Sequence, residues 1–268
     1  MLGAVFGDVV GSVYEFHNIK TKEFPLFGEG CFFTDDTVMT VAVAEALLDY
    51  TPGEPRERLQ ARLVRLMREY GRRYPDAGYG GRFSEWLRRP EMGAYHSLGN
   101  GSAMRVAPVA YVATSPEEAT ALATATAEVT HDHPEGIKGA VATAGTVYLA
   151  ANGASKAEIL AFLRRYYPMT RTVDEIRPTY AFNETCEATV PEAMQAFLES
   201  TSFEDAIRTG ISLGGDSDTL CAICGSVAEA YYGMTEGEQQ QALSYLDAPL
   251  TQVTERFLEK YPRCGRRP

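Results

Sequence analysis

The chain has 268 residues, 45% of them hydrophobic and 10% aromatic, enough to bury one substantial core and unlike a disordered polymer. A formal net charge of -11 argues against the broad basic face that a nucleic-acid backbone or an anionic membrane demands. The longest apolar run, 139–154, contains Thr143, Thr146 and Asn152, so it predicts a core helix rather than a membrane span.

The chain opens Met1-Leu2-Gly3-Ala4-Val5-Phe6-Gly7-Asp8, with no basic n-region and with Asp8 inside the apolar stretch, unlike a signal peptide. Gly3, Gly7 and Gly11 recur every four residues and therefore leave one helical face without side chains, where a second helix can approach closely. Asp8 and Glu15 are two turns apart on a different face. Asp8 is placed to orient backbone or ligand groups; on spacing alone Glu15, at the helix end, reads as a solvated acid.

Helical periodicity dominates the rest of the chain. It predicts helices over 37–50, 56–74, 119–129, 135–151, 156–166, 191–198, 218–232 and 251–261. The second of these, with Leu59, Leu63, Leu66, Met67 and Tyr70 among many charges, reads as a surface amphipathic helix. Ser115-Pro116-Glu117-Glu118 has the pattern of a capping box, and Ser202 and Thr235 open further caps. No alternation of period two stands out; 106–113 is the most strand-like piece and is as readily a buried helix. With no repeat, low-complexity tract or linker, the expectation is an all-α protein forming a single domain over 1–268. The five cysteines, 31, 186, 221, 224 and 264, are odd in number and scattered, which fits a reducing cytoplasm. Cys221 and Cys224 form a CxxC, but inside a small-residue helical stretch they read as packing residues.

Two acidic clusters carry the chemistry. Phe33-Thr34-Asp35-Asp36-Thr37 and Gly214-Gly215-Asp216-Ser217-Asp218-Thr219 each stand where an irregular segment gives way to an apolar helix. Each alone is explained by helix capping and the helix dipole. Two such ends far apart in sequence point instead to one shared site. Four carboxylates there need cations between them, and hard oxygen donors suit magnesium, manganese or calcium over zinc. Two divalent ions would neutralise Asp35, Asp36, Asp216 and Asp218.

Between the clusters, Ser97-Leu98-Gly99-Asn100-Gly101-Ser102-Ala103-Met104-Arg105 offers backbone amides for a phosphate, with Ser102 able to cap; such Gly-rich loops are also common turns. In Thr130-His131-Asp132-His133-Pro134, His131 reads as a hydrogen-bonding residue and His133 as a helix-entry residue rather than zinc ligands.

Taken in order, Gly7-Asp8 with Gly11 and Glu15, Thr34-Asp35-Asp36-Thr37, Gly99 to Arg105, Thr130-His131 before His133-Pro134, and Gly214 to Thr219 closely resemble the ADP-ribosylglycohydrolase family, over residues 3 to about 233. The resemblance implies a compact all-α fold with two Mg2+ (or Mn2+) ions held by Thr34, Asp35, Asp36, Asp216, Asp218 and Thr219. It implies that Gly99, Asn100, Gly101, Ser102, Met104 and Arg105 receive the diphosphate and ribose of ADP-ribose, and that His131 touches the same ligand. The implied reaction is hydrolysis at C1″ of the distal ribose of ADP-ribosylated protein side chains or small ADP-ribosyl compounds, with Asp35, Asp36 or Glu15 as the acid–base. Amide dipoles and metal ions, rather than surface Lys or Arg, would bind the anionic nucleotide.

Tyr74-Pro75-Asp76-Ala77-Gly78-Tyr79-Gly80 resembles the Asp-x-Gly loop of members acting on arginine, although here Trp86 follows it. Asp76 is then either a contact for a guanidinium leaving group or a plain turn residue. The loop over 16–33, with His17, Lys20, Lys22, Phe24 and Phe27, is either a lid or connection packing. Two other functions fit the same residues: a catalytically silent ADP-ribose binder, and a binuclear-metal phosphoesterase acting on a nucleotide diphosphate.

Overall fold

A computed structural model describes residues 1–262. Among these, fifteen helices follow one another: α1 (Leu2–Gly11), α2 (Asp35–Leu48), α3 (Arg56–Arg73), α4 (Gly81–Arg88), α5 (Gly101–Met104), α6 (Ala107–Val112), α7 (Pro116–Glu128), α8 (Pro134–Ala151), α9 (Lys156–Leu163), α10 (Val173–Ile176), α11 (Cys186–Glu199), α12 (Phe203–Leu213), α13 (Ser217–Tyr232), α14 (Glu236–Ser244) and α15 (Ala248–Lys260). The only β-type pairing among the described residues is an isolated bridge between Gly99 and Thr185. The all-α expectation holds, and 106–113 resolves as a buried helix with Pro108 in its first turn.

At the centre lie α1 and α13, both buried on nearly every side, as expected of helices apolar all round. Their closeness comes from the glycine face. A Cβ at Gly3 would stand 2.2 Å from the Gly225 carbonyl oxygen, at Gly7 2.0 Å from the Cys221 oxygen, and at Gly11 2.4 Å from the Asp218 Cα. No other residue fits at these three positions without parting the helices. One hydrophobic cluster gathers α11 and α12 around this pair; a second forms between α2, α3, α4, α6, α7 and α15. Helix α8 contributes to both, with Ala142 and Val147 in the first and Ala140 and Ala144 in the second. Cys221 and Cys224 are buried in α13, their Sγ atoms against the Ile207 and Ala206 carbonyls, so the CxxC is packing. Cys264 lies outside the described residues.

Several local expectations change. Helix α11 begins at Cys186, not 191, because Thr185 caps it and Pro191 is carried inside. Helix α1 ends at Gly11, so Glu15 sits in the turn beyond it. Ser115 caps α7 by accepting from the Glu118 N–H, but the Glu118 carboxylate accepts from Thr114 instead of closing the box. The short helices α4, α5 and α10 carry too few turns to show a period. No helix of the described residues is long and apolar enough to cross a membrane.

Candidate metal centre and active site

The C-terminal end of α1 and the N-terminal ends of α2 and α13 converge on one point, because the glycine face presses α1 onto α13. Asp8 organises the junction. It accepts from the Thr34 N–H (2.9 Å) and Oγ1 (2.7 Å), and from the Thr37 N–H (3.0 Å) and Oγ1 (2.5 Å). Burial nevertheless pushes its carboxyl up to about 6 against those four bonds. Thr34 caps α2, its Oγ1 accepting from the Asp36 N–H.

The carboxyl groups form two triads. Oxygens of Asp8, Asp36 and Asp218 lie within 4.8 Å of one another, and so do oxygens of Glu15, Asp216 and Asp218. Asp218 belongs to both. Asp36 accepts through Oδ2 from Thr219 Oγ1 (3.0 Å), while its buried Oδ1 has no hydrogen-bond partner among the described residues. Asp216 accepts from Asn100 Nδ2 (2.7 Å), which thereby ties the Gly-rich loop to α13. Asp216 and Asp218 stand side by side in the second triad, their oxygens within 4.8 Å. Asp35 is partly exposed at the cavity wall, its N–H donating to the Ala77 oxygen (2.7 Å).

Every one of these carboxyl groups is pushed upward, first by burial. The Asp218 and Asp8 charges add to this at Asp35 and Asp36, and the Asp216 charge at Asp218. Asp216 rises to about 6. Glu15, expected from spacing as a solvated acid, instead stands half-buried against the cluster, raised to about 8 by burial and then by Asp218, Asp8 and Glu184. No Lys, Arg or His forms an ion pair with any of the six acids among the described residues. Crowded carboxyl groups, an orphaned buried oxygen and no protein cation fit a site for divalent cations with oxygen ligands.

The acids floor a cavity of about 590 Å³. Gly99, Asn100, Gly101, Met104, Arg105 and His131 form one wall, and Asp76 with the 77–83 segment another. His131 is buried, and its Nδ1 pairs with Thr130 Oγ1 (2.7 Å). That hydroxyl also accepts from Arg105 Nη2 (2.7 Å) and has its hydrogen to give to Nδ1, the arrangement in which the Nε2 beside the cavity carries the ring proton. A Cβ at Gly101 would meet that Nε2 at 3.2 Å, so glycine there makes room for the imidazole. Burial, and then the Arg105 charge, hold His131 well below the usual histidine range, hence neutral. Arg105 is itself buried, spanning Thr126, Thr130 and the Phe83 ring, and burial lowers it to about 10. Asp76 is exposed at the rim, in a turn closed by Gly78 at φ 101°.

Ser102 departs from expectation. Its side chain neither caps nor faces the cavity; it is fully buried and donates to the Gly136 oxygen of α8 (2.7 Å), while Asn100 takes the cap position. His133 caps α8, accepting from the Glu135 N–H, and takes no part in the cavity. The 12–34 loop divides. Phe24 and Phe27 pack against Tyr14, Phe6 and Tyr245, whereas Phe16 and Phe32 stand exposed at the cavity mouth, Phe16 stacked on Phe182. Phe182 and Glu184 come from a segment with no period or motif, and sequence reasoning passed over both. The Glu184 oxygen accepts from the Asn100 N–H (2.7 Å), so that segment also buttresses the Gly-rich loop.

An all-α fold whose helix ends gather six carboxyl groups beneath a nucleotide-sized cavity defines a hydrolase-like site for a polar ligand. The profile of the ADP-ribosylglycohydrolase family matches residues 1–266, and the chain belongs to that family. Among similar proteins, the ADP-ribosylhydrolase ARH3 of Homo sapiens is 27% identical over 97% of this chain and 93% of its own. The ADP-ribosylarginine hydrolase Tri1 of Pseudomonas putida is 30% identical over 88% of this chain and 70% of its own. A solved ADP-ribosylglycohydrolase-related protein complex superposes with a TM-score of 0.67 at 26% identity, covering 96% of this chain and 95% of that one.

Proposed function

We propose that this chain hydrolyses the C1″ glycosidic bond of ADP-ribosylated side chains or small ADP-ribosyl compounds and releases intact ADP-ribose. The observation that carries the reading is the pair of carboxyl triads sharing Asp218 at the floor of the cavity. Two triads with one common member suit two adjacent divalent ions, Mg2+ or Mn2+; of the triad acids Asp36, Asp216 and Asp218 would hold them, joined by Asp35 from the cavity wall and by the hydroxyls of Thr34 and Thr219. Such ions, when bound, supply Lewis acidity and lower the pKa of water.

The chain's own groups do the rest. Thr219 Oγ1 occupies Asp36 Oδ2 and Asn100 Nδ2 occupies Asp216 Oδ2, while the buried Oδ1 of Asp36 is left without a hydrogen-bond partner among the described residues. Asp8 holds Thr34 and Thr37 and so fixes the α2 end without itself needing to ligate. The neutral His131 donates from Nε2 beside Gly99 and Gly101, where the diphosphate and ribose would lie. In the reaction water adds its hydroxyl to C1″ and its hydrogen to the departing atom. One of the carboxyl groups Asp35, Asp36 and Glu15 accepts the proton from water or delivers one to that atom, Glu15 by its place beside Asp216 and Asp218 at the cavity floor. Asp76 at the rim suits a cationic leaving group such as guanidinium, a reading supported by the similarity to a protein named as an arginine hydrolase.

The test is release of free ADP-ribose from arginine-, serine- and acetyl-linked substrates, run with Mg2+, with EDTA, and with Asp35→Asn/Asp36→Asn. Release that needs the metal and vanishes in the variant is the expected result. AMP and ribose phosphate as products would instead indicate diphosphate cleavage. Tight ADP-ribose binding with no turnover of any substrate would indicate a silent binder.

A further inference from the structure

The 12–34 loop is tied down at one place that the reaction chemistry leaves unexplained. The Asn18 side chain brackets Gly215: its Oδ1 accepts from the Gly215 N–H (2.8 Å), and its Nδ2 donates to the Gly215 oxygen (2.9 Å). The same Nδ2 donates to the Tyr14 oxygen (2.7 Å) and the Glu15 oxygen (2.9 Å). One carboxamide thus joins the backbone of Glu15 to the residue immediately before Asp216. Two residues on, Lys20 Nζ donates to the Tyr180 oxygen (2.7 Å) and the Leu213 oxygen (2.5 Å), clamping the C-terminal end of α12 to the Phe182-bearing segment.

The Gly214–Gly215 turn needs an external hold. Both residues have positive φ, 71° and 77°, and neither has a side chain with which to anchor itself. A Cβ at Gly215 would collide with the Tyr180 ring at 2.4 Å, so the anchor has to come from another segment. Asn18 supplies it by matching both polar groups of one peptide residue, which fixes translation and rotation together. Across this bracket, oxygens of Glu15, Asp216 and Asp218 come within 4.8 Å of one another.

We propose that Asn18 is a positioning residue, which sets the Glu15 loop and the Asp216 turn in register so that their carboxyl groups act on one ligand, with Lys20 locking the same closure from the α12 side. This rests on the reading that Asp216 and Asp218 hold a divalent cation with the Glu15 carboxyl beside them. Asn18 is solvent-exposed, so its removal leaves the core intact.

The test uses the full chain with Asn18→Ala. Mn2+ affinity is measured by titration, amide hydrogen exchange is read over 12–22 and 213–219, and kcat and KM for ADP-ribose release are taken separately. Outer groups that orient metal ligands are commonly worth roughly 10–100-fold in affinity or activity. The expected result is Mn2+ binding weakened in that range, faster exchange in both segments together, and a fall in kcat with KM little changed, because the Gly99–His131 wall is untouched. Unchanged Mn2+ affinity in a folded variant overturns the proposal, whatever the exchange shows. If Asn18→Ala does not fold, Asn18→Ser is read in the same way. Failure of the unaltered chain to bind Mn2+ overturns the site reading itself, whereas equal binding by both proteins overturns only the role of Asn18.

Discussion

Asp218→Asn separates the cost of the acidic cluster from its use. Asp218 is buried, belongs to both carboxyl triads, and is raised well above its ordinary value by burial and then by Asp216. Two unit charges no more than 4.8 Å apart repel by at least about 3 kcal/mol at an effective dielectric of about 20. The metal-free protein avoids this by retaining protons, and holding those protons becomes more costly as pH rises. Asparagine removes one member while keeping the oxygen that accepts from the Thr219 N–H and gaining an amide for Asp216. The variant in EDTA should therefore be more stable than the unaltered chain at pH 8, by about 2–4 kcal/mol, or roughly 4–8 °C in melting temperature for a chain of this size. At pH 5 the difference should shrink toward zero. The same variant should lose Mn2+ binding and ADP-ribose release. Thermal unfolding at the two pH values, with and without Mn2+, reads all of this. An Asp218→Asn protein that melts no higher than the unaltered chain at pH 8 in EDTA would refute the electrostatic account, and one that still binds Mn2+ tightly would refute the shared-ligand geometry.

Gly7→Ala should destabilise by about 3 kcal/mol, because overpacking against the Cys221 carbonyl exceeds the ~1 kcal/mol gained in helix propensity; a denaturant midpoint at or above that of the unaltered chain would contradict it. Asp8 and Asp216 are raised to about 6 and Glu15 to about 8, so the stability they contribute is complete below their unfolded values and is lost as pH rises through 6 to 8. The melting temperature in EDTA should accordingly fall between pH 5 and 8, and Mg2+ should raise it more at pH 8 than at pH 5; equal stabilisation at both would count against ion binding at these acids. His131→Gln should weaken ADP-ribose binding about tenfold by calorimetry, the order of one hydrogen bond, and unchanged affinity would remove Nε2 from the ligand.

The parts of the fold legible in the sequence are those in which one residue type has a single physical use. Three glycines at a spacing of four have no purpose in a helix except close approach, and that approach lies between α1 and α13. Caps such as Ser202 and Thr235 were legible because the bond they make is local. Ser102 misled because its local pattern fits a cap, while its actual acceptor, the Gly136 oxygen, is 34 residues away. Glu15 misled in the opposite direction: its spacing describes a helix that ends four residues earlier, and its surroundings come from Asp218 and Glu184, which no local pattern connects to it. Asn18 belongs with these. Nothing in an Asn within a polar loop signals a bracket on Gly215, 197 residues along the chain. The acidic clusters are intermediate, since each reads locally as a cap and only the pair, brought together by the glycine face, reads as a site. The same glycines therefore place Asp8 and Asp218 at the α1–α13 junction: a change such as Gly11→Ala, whose Cβ would stand 2.4 Å from the Asp218 Cα, would disturb packing and chemistry together.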